Sequence, residues 1–278
     1  MVFYYLKDFD SVGAIFQIFA VLIVFITFKK GIWILLGYIQ EKFRSLSENT
    51  KDFGTPEKDT VYLFQFHRTK LSPNSSPFCL KVETFLRYHK IPHKPIFTQF
   101  QRSKQGLLPF IIFNGKEIFD SNLIINELEK HFDLQPQLSS IESAIAQLAV
   151  QAIDNSLAKN VFNRLMPEFL ASLSFKHVYG FAKNRLKSLH ILSLPEENIY
   201  QGLKDNLRAL DEILGEKKYL FGNEPNLADF ALFSHLCTMY YTAYNQPLKD
   251  ILDTEYPRLQ KYIERTLTEN FPEFRMYY

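Results

Sequence analysis

Cysteine is scarce, with only Cys79 and Cys237 in 278 residues. Two thiols cannot build a disulfide framework and fit a reducing compartment. They are also too few for a thiolate cluster that would chelate soft metals. His67, His89 and His93 supply no ligand spacing beside them, so no metal is expected. Net charge is equally small. The 32 Lys and Arg against 30 Asp and Glu leave +2, so no basic field argues for nucleic acid and no acidic tail for a solvating role. What the chain does contain is apolar mass: 46% hydrophobic residues, including 27 Phe and 15 Tyr. That is enough for one large or two small domains with a sizeable core, and aromatic packing is the plain reading of the Phe and Tyr excess.

One long apolar run stands out. Val12 to Phe28 carries only Gln17 and Thr27 as polar side chains, and after Lys29 and Lys30 a second apolar stretch runs from Gly31 to Ile39. A membrane-crossing helix needs about 20 such residues. Residues 1–44 therefore read as an N-terminal anchor holding one transmembrane helix, with membrane contact through residues 12–39. Two alternatives stay open. A cleaved signal peptide is disfavoured by Lys7, Asp8 and Asp10 ahead of the run. An interfacial helix is suggested by Trp33 and Tyr38. Lys29, Lys30, Lys42 and Arg44 follow the first run, so the positive-inside rule predicts a single pass with the large domain cytosolic. Residues 45–59, polar and broken by Gly54 and Pro56, read as a linker.

From Val61 the pattern changes. Val61 to Phe66 predicts a buried strand, and His67 to Ser76 a loop. Pro77 then suits the first turn of a helix with Ser76 as N-cap, and Phe78, Val82, Phe85 and Leu86 repeat at helical spacing up to His89. A short strand is expected around Pro95 to Phe97. Asn114-Gly115 between Phe110–Phe113 and Glu117–Phe119 is a strong hairpin signal, and Asp120-Ser121 precedes a helix expected over Leu123 to Phe132. Asn74-Ser75-Ser76 is a glycosylation sequon, but Pro77 follows it and a cytosolic face leaves it unused.

This order, with Ser-Pro-Phe-Cys (76–79) after the first strand, Leu108-Pro109 before the hairpin and Asp120-Ser121 after it, resembles the thioredoxin-like domain of glutathione transferases. More narrowly, SPFCLKVETFLRYHKIPHK (76–94), LLPFIIFNGKEIFDSNLIINEL (107–128) and the anchor resemble the failed-axon-connections and cadmium-responsive family, with the metaxins as distant relatives. The resemblance implies an α/β thioredoxin-like glutathione-transferase N-terminal domain over 60–134. An all-α glutathione-transferase C-terminal domain over 138–278 follows it, and one transmembrane helix precedes both.

It also implies site residues. Ser76 would donate to the sulfur of bound glutathione; read from the residues alone it is an N-cap, and the two roles are compatible. Ser75 and Ser72 are runner-up donors. Serine in the leading position of a Cys-Pro-x-Cys frame removes dithiol exchange, and Cys79 reads as a buried structural cysteine. Pro109 is implied to be cis, with the backbone of Leu108 pairing with the cysteinyl part of glutathione. Asp120 and Ser121 are implied to hold its γ-glutamyl end, where a hydroxyl and free helix amides suit a carboxylate; read from the residues alone one of the two caps the helix, and the two roles are compatible. Arg102 or Lys104 would reach the glycine carboxylate.

In the second half, Ser139 and Glu142 form a capping-box pattern opening a helix with apolar positions 141, 145, 148, 149, 152 and 153. Another helix spans about Glu196 to Leu214, stopped by Gly215. Asn226 and Asp229 read as a further reciprocal cap, which makes Asp229 structural. Tyr240, Tyr241 and Tyr244 face either the cleft or the core. Two functions follow. One is a membrane-anchored glutathione transferase of stress, xenobiotic or cadmium response, using glutathione as substrate. The other is a non-catalytic, metaxin-like interaction module with a homodimer or protein partner. The expected membrane is lysosomal or another endomembrane, with the mitochondrial outer membrane as alternative.

Overall fold

The computed structural model describes residues 57–69, 71–98, 101–157, 196–241 and 247–277. The expected anchor, residues 12–39, lies outside them, and among the described residues no helix is long and apolar enough to cross a membrane. Pro56–Tyr278 forms one compact unit.

The first half is a four-stranded sheet of order β2-β1-β3-β4. Its strands are β1 (Val61–Gln65), β2 (His93–Phe97), β3 (Phe110–Phe113) and β4 (Lys116–Phe119). β1 pairs parallel with β2 and antiparallel with β3, so it is central and all five of its residues are buried. It stops one residue short of the expected Phe66, whose carbonyl instead accepts from the Asn74 amide at 2.9 Å. β2 starts two residues before the expected Pro95, because the parallel ladder begins at Val61 opposite His93. The β3–β4 hairpin turns on Asn114 (φ 46°) and Gly115 (φ 79°), the left-handed pair that a two-residue hairpin requires and these residues tolerate.

Helix α1 (Pro77–Tyr88) and helix α2 (Ser121–Phe132) pack on the sheet. Pro77 occupies the first turn of α1 behind the Ser76 N-cap, where a missing N–H costs nothing. α2 starts two residues earlier than expected, because Asp120 is its N-cap. Val82, Phe85 and Leu86 of α1 join Ile124, Ile125 and Leu128 of α2 over Leu63 and Ile111.

The second half is helical throughout its described elements: α3 (Ser140–Ala152) running into a π turn (Ile153–Leu157), α4 (Glu196–Leu214), α5 (Leu227–Tyr240), α6 (Pro247–Glu255), α7 (Pro257–Asn270) and a final 3-10 turn (Pro272–Tyr277). The Ser139–Glu142 capping box is present. The face of α3 is not the one expected: Ala146, Ala149, Val150 and Ile153 go inward, while Ile141, Ile145 and Leu148 are exposed by 74%, 37% and 71%. Apolar residues encircle most of this helix, so periodicity could not choose its inner side. Leu203, Leu207, Leu210 and Leu214 of α4 are buried as the spacing implies, and Gly215 (φ 53°) ends the helix. Tyr240 lies in the core with its hydroxyl donating to Asp253 at 2.6 Å, and Tyr241 is half-buried. Tyr244 lies outside the described residues.

The halves meet where α1 packs on α5. Leu80 of α1 sits in the core of the helical half and Phe230 of α5 in the core of the sheet half. Phe85 meets the Phe230 ring edge-on at 5.5 Å. Burying such a side chain contributes about 2–3 kcal/mol, so the seam is an apolar interface in its own right.

Candidate functional site

Strand register gathers the sequence-predicted residues at one end of the sheet. Phe64 of β1 pairs with Phe110, and Phe110 pairs with Phe119. The loop after β1, the Leu108–Pro109 peptide before β3 and Asp120-Ser121 after β4 therefore emerge side by side. The loop is drawn back over this end by Asn74, whose side-chain amide donates to Phe66 O at 2.9 Å and Gln65 Oε1 at 3.2 Å. Asn74 Oδ1 accepts from the Ser76 N–H at 2.9 Å, which sets the turn that presents Ser76. With Asn74 fully buried and both amide atoms bonded, the sequon has no free nitrogen to modify.

Ser76 is half-buried at the α1 N-terminus. Its oxygen accepts from Cys79 N at a long 3.5 Å, and its hydroxyl is hydrogen-bonded to the Cys79 sulfur. A helix N-terminus carrying a hydroxyl favours a negative group there. Ser72 is excluded as a rival, since it is buried and donates to Asn74 O at 2.9 Å. Ser75 is exposed. Burial pushes the Cys79 thiol up to about 11, so it is structural and no nucleophile.

The Leu108–Pro109 bond is cis, as the resemblance implies, and neither the N–H nor the carbonyl of Leu108 is hydrogen-bonded among the described residues. Asp120 takes φ 70° and caps α2 through Oδ1, which accepts from Asn122 N at 2.9 Å and Leu123 N at 3.1 Å. The capping role read from the residues is therefore present, and it takes two of the helix amides that a carboxylate would otherwise use. The Ser121 hydroxyl and N–H are what this terminus still offers. Arg102 is half-buried, lies 5.2 Å from the Phe66 ring and has no carboxylate partner among the described residues. It is therefore the better-placed of the two basic candidates. Lys104 is exposed, and its own N–H donates to Glu117 Oε1 at 2.7 Å. Among the described residues no group of His, Cys, Asp and Glu could hold a metal ion.

Sequence reasoning missed a buried polar cluster beside this site. The Lys81 side chain is fully buried in α1, with its ammonium bonded to Asn122 and Asp154. His235 of α5 lies against the Phe78 ring edge at 5.3 Å. The signal for Lys81 was its place on the buried face of α1, between Phe78 and Phe85, where a charged residue needs a partner. The partner could not be read, because Asp154 is distant in sequence.

A thioredoxin-type sheet half with a serine at the α1 N-terminus, followed by a helical half, defines a protein of glutathione-transferase type. The family model for the glutathione S-transferase N-terminal domain matches residues 77–165, and that for the glutathione S-transferase C-terminal domain matches residues 203–266. More particularly, the chain is a homologue of Failed axon connections of Drosophila melanogaster. The two are 32% identical over 253 residues, covering 78% of this chain and 60% of that protein's length. Prostaglandin E synthase 2 of Danio rerio is 23% identical over 274 residues, covering 72% of this chain and 69% of that one. The fold is shared with glutathione transferase GSTFuA3 of Phanerochaete chrysosporium (TM-score 0.57, 14% identity, 77% of this chain and 99% of that one). It is shared too with a Pseudomonas fluorescens glutathione transferase family member that has two glutathiones bound (TM-score 0.55, 14% identity, 83% and 96% coverage). A third neighbour is a Methylobacterium radiotolerans glutathione S-transferase in complex with glutathione sulfonate (TM-score 0.52, 17% identity, 78% and 93% coverage).

Proposed function

We propose that this protein binds glutathione at the end of the sheet and uses it as a serine-type transferase, tethered to a membrane through residues 12–39. The observation that carries the reading is the Ser76 hydroxyl, half-buried at a helix N-terminus, where a proton held by the Cys79 sulfur can turn to an incoming one. A donor there stabilises the thiolate form of a bound thiol relative to the thiol. In this reading Leu108 supplies backbone donor and acceptor to the cysteinyl part, Asp120 and Ser121 meet the γ-glutamyl ammonium and carboxylate, and Arg102 faces the glycine carboxylate. The large domain is cytosolic on a lysosomal or other endomembrane, and the conjugated electrophiles belong to a stress, xenobiotic or cadmium response.

Calorimetry of the full-length protein with glutathione tests this. Binding is expected in the millimolar range or tighter, weakened by Asp120→Ala, with conjugation of a chromogenic electrophile lost in Ser76→Ala. Absence of heat at millimolar glutathione from the folded protein refutes the proposal. A second reading, a non-catalytic interaction module at a membrane, is favoured by the exposed Ile141, Ile145 and Leu148 on α3. This uncharged stripe is self-complementary, so a second copy of the chain is its proposed occupant. Sedimentation of the full-length protein as a monomer at micromolar concentration would remove that support.

A further inference from the structure

The cluster at the seam does something the site itself needs. Lys81 lies one turn beyond Ser76 on α1, and Asn122 directly follows Ser121 on α2. The Lys81 ammonium donates to Asn122 Oδ1 at 2.9 Å and to Asp154 Oδ2 and Oδ1 at 2.8 and 3.1 Å. Asn122 Nδ2 donates to Asp154 Oδ2 at 3.0 Å, which closes a triangle among α1, α2 and the π turn after α3. The Lys81 side chain is 0% exposed and that of Asp154 11%.

Fold stability alone does not call for this arrangement. Apolar residues of similar volume often replace a buried ion pair without loss, whereas removing one partner strands a charge. What a charged triangle supplies, and an apolar patch does not, is a fixed direction between three elements. The neighbouring imidazole leaves that direction undisturbed. His235 Nδ1 faces Ala231 O at 3.0 Å, its Nε2 lies 3.8 Å from Asp154 Oδ1, and burial holds the ring neutral by pushing its pKa down to about 4. Lys81 is thus the single cation on Asp154 at neutral pH among the described residues.

We propose that Lys81 and Asp154 are positioning residues that set the separation between Ser76 and Ser121, and so the affinity for a peptide thiol stretched between them. The inference rests on the glutathione reading above. Asp154 belongs to the helical half, so the sheet-half site is completed by a residue across the seam.

The test is glutathione calorimetry and thermal unfolding on the full-length wild type, Asn122→Ala, Lys81→Met, Asp154→Leu and the Lys81→Met/Asp154→Leu double variant. Each single ion-pair variant is expected to be destabilised by its stranded partner. The double variant should recover most of the stability while its Kd for glutathione stays raised by about tenfold or more, the scale on which small misplacements act. Asn122→Ala keeps the ion pair and should fold like wild type with a similarly raised Kd, which secures the result if the double variant unfolds. A wild-type Kd in Asn122→Ala, or in a folded double variant, overturns the positioning role alone. No binding by wild type overturns the glutathione reading and this inference with it.

Discussion

Asn74 decides how the loop that presents Ser76 is held, and two substitutions separate chemistry from shape. Its side chain makes three hydrogen bonds: from Ser76 N–H at 2.9 Å, to Phe66 O at 2.9 Å and to Gln65 Oε1 at 3.2 Å. In Asn74→Ala the Ser76 amide is half-buried and can hydrate. Phe66 is half-buried, so its carbonyl can hydrate as well. Gln65 Oε1 is different: Gln65 is fully buried, and its amide nitrogen is already committed to Glu83 Oε2 at 2.7 Å. One stranded buried acceptor costs about 1–3 kcal/mol and each net hydrogen bond lost about 1 kcal/mol. The expected loss is therefore about 2–4 kcal/mol, a large share of a typical domain's stability.

Asn74→Asp keeps the shape but replaces the donor with an acceptor. A carboxylate oxygen would then face two oxygens at hydrogen-bond distance, so the isosteric change should cost at least as much as alanine. Equilibrium urea unfolding of the full-length protein, followed by far-ultraviolet circular dichroism, gives both values. Hydrogen exchange at the Ser76 amide should accelerate in both variants. If Asn74→Asp falls within about 0.5 kcal/mol of wild type, the range of ordinary surface changes, volume rather than the donor holds the loop and the reasoning fails.

Asp229 accepts from Leu220 N at 2.8 Å, Asn226 N at 3.0 Å and Asn226 Nδ2 at 2.7 Å inside the core. Asp229→Ala strands those donors and should cost about 3 kcal/mol or more, read as a melting-temperature fall on the order of 10 °C; a shift of under about 2 °C would contradict the accounting. Burial pushes the Glu129 carboxyl up to about 7 from 4.5. A folded pKa raised this way gives stability that is full below about pH 4.5 and lost as pH rises through about 7. Glu129→Gln should accordingly flatten the stability profile across that window and be the more stable form at pH 8. Parallel profiles for the two proteins would show that the carboxyl is not desolvated.

The signals that could be read ahead of the structure all act within a few residues. Pro77 behind Ser76, Asn114-Gly115, Ser139 with Glu142, and Asn226 with Asp229 each specify a helix end or a turn from local stereochemistry, and each appears as read. What stayed hidden depends on partners far along the chain. Asn74 looked like a loop residue until Gln65 and Phe66 came back beside it. Lys81 drew no reading of its own, because its partner Asp154 lies 73 positions away. The inner face of α3 was misjudged for a related reason: which of its apolar residues are buried is chosen by α5, and no local rule says where α5 will lie. The start of α2 moved because Asp120 capped the helix itself and so withdrew two amides from the set a ligand would use.

These placements bear on which sulfur chemistry suits the site. A redox turn needs its own thiolate at the helix N-terminus, exposed and lowered in pKa. Here the thiol that shares the turn is buried and raised to about 11, and burial raises Cys237 as well. Yet the features that favour a thiolate remain: a helix N-terminus, the Ser76 hydroxyl, and the Arg102 guanidinium, which has no carboxylate partner among the described residues. A positive end with no carboxylate of its own among the described residues is matched by an anion brought from outside. Of the sulfur chemistries open to this fold, the geometry therefore suits stabilising a bound thiolate better than exchanging a disulfide, and Ser76→Cys would not restore exchange while Cys79 stays buried beneath it.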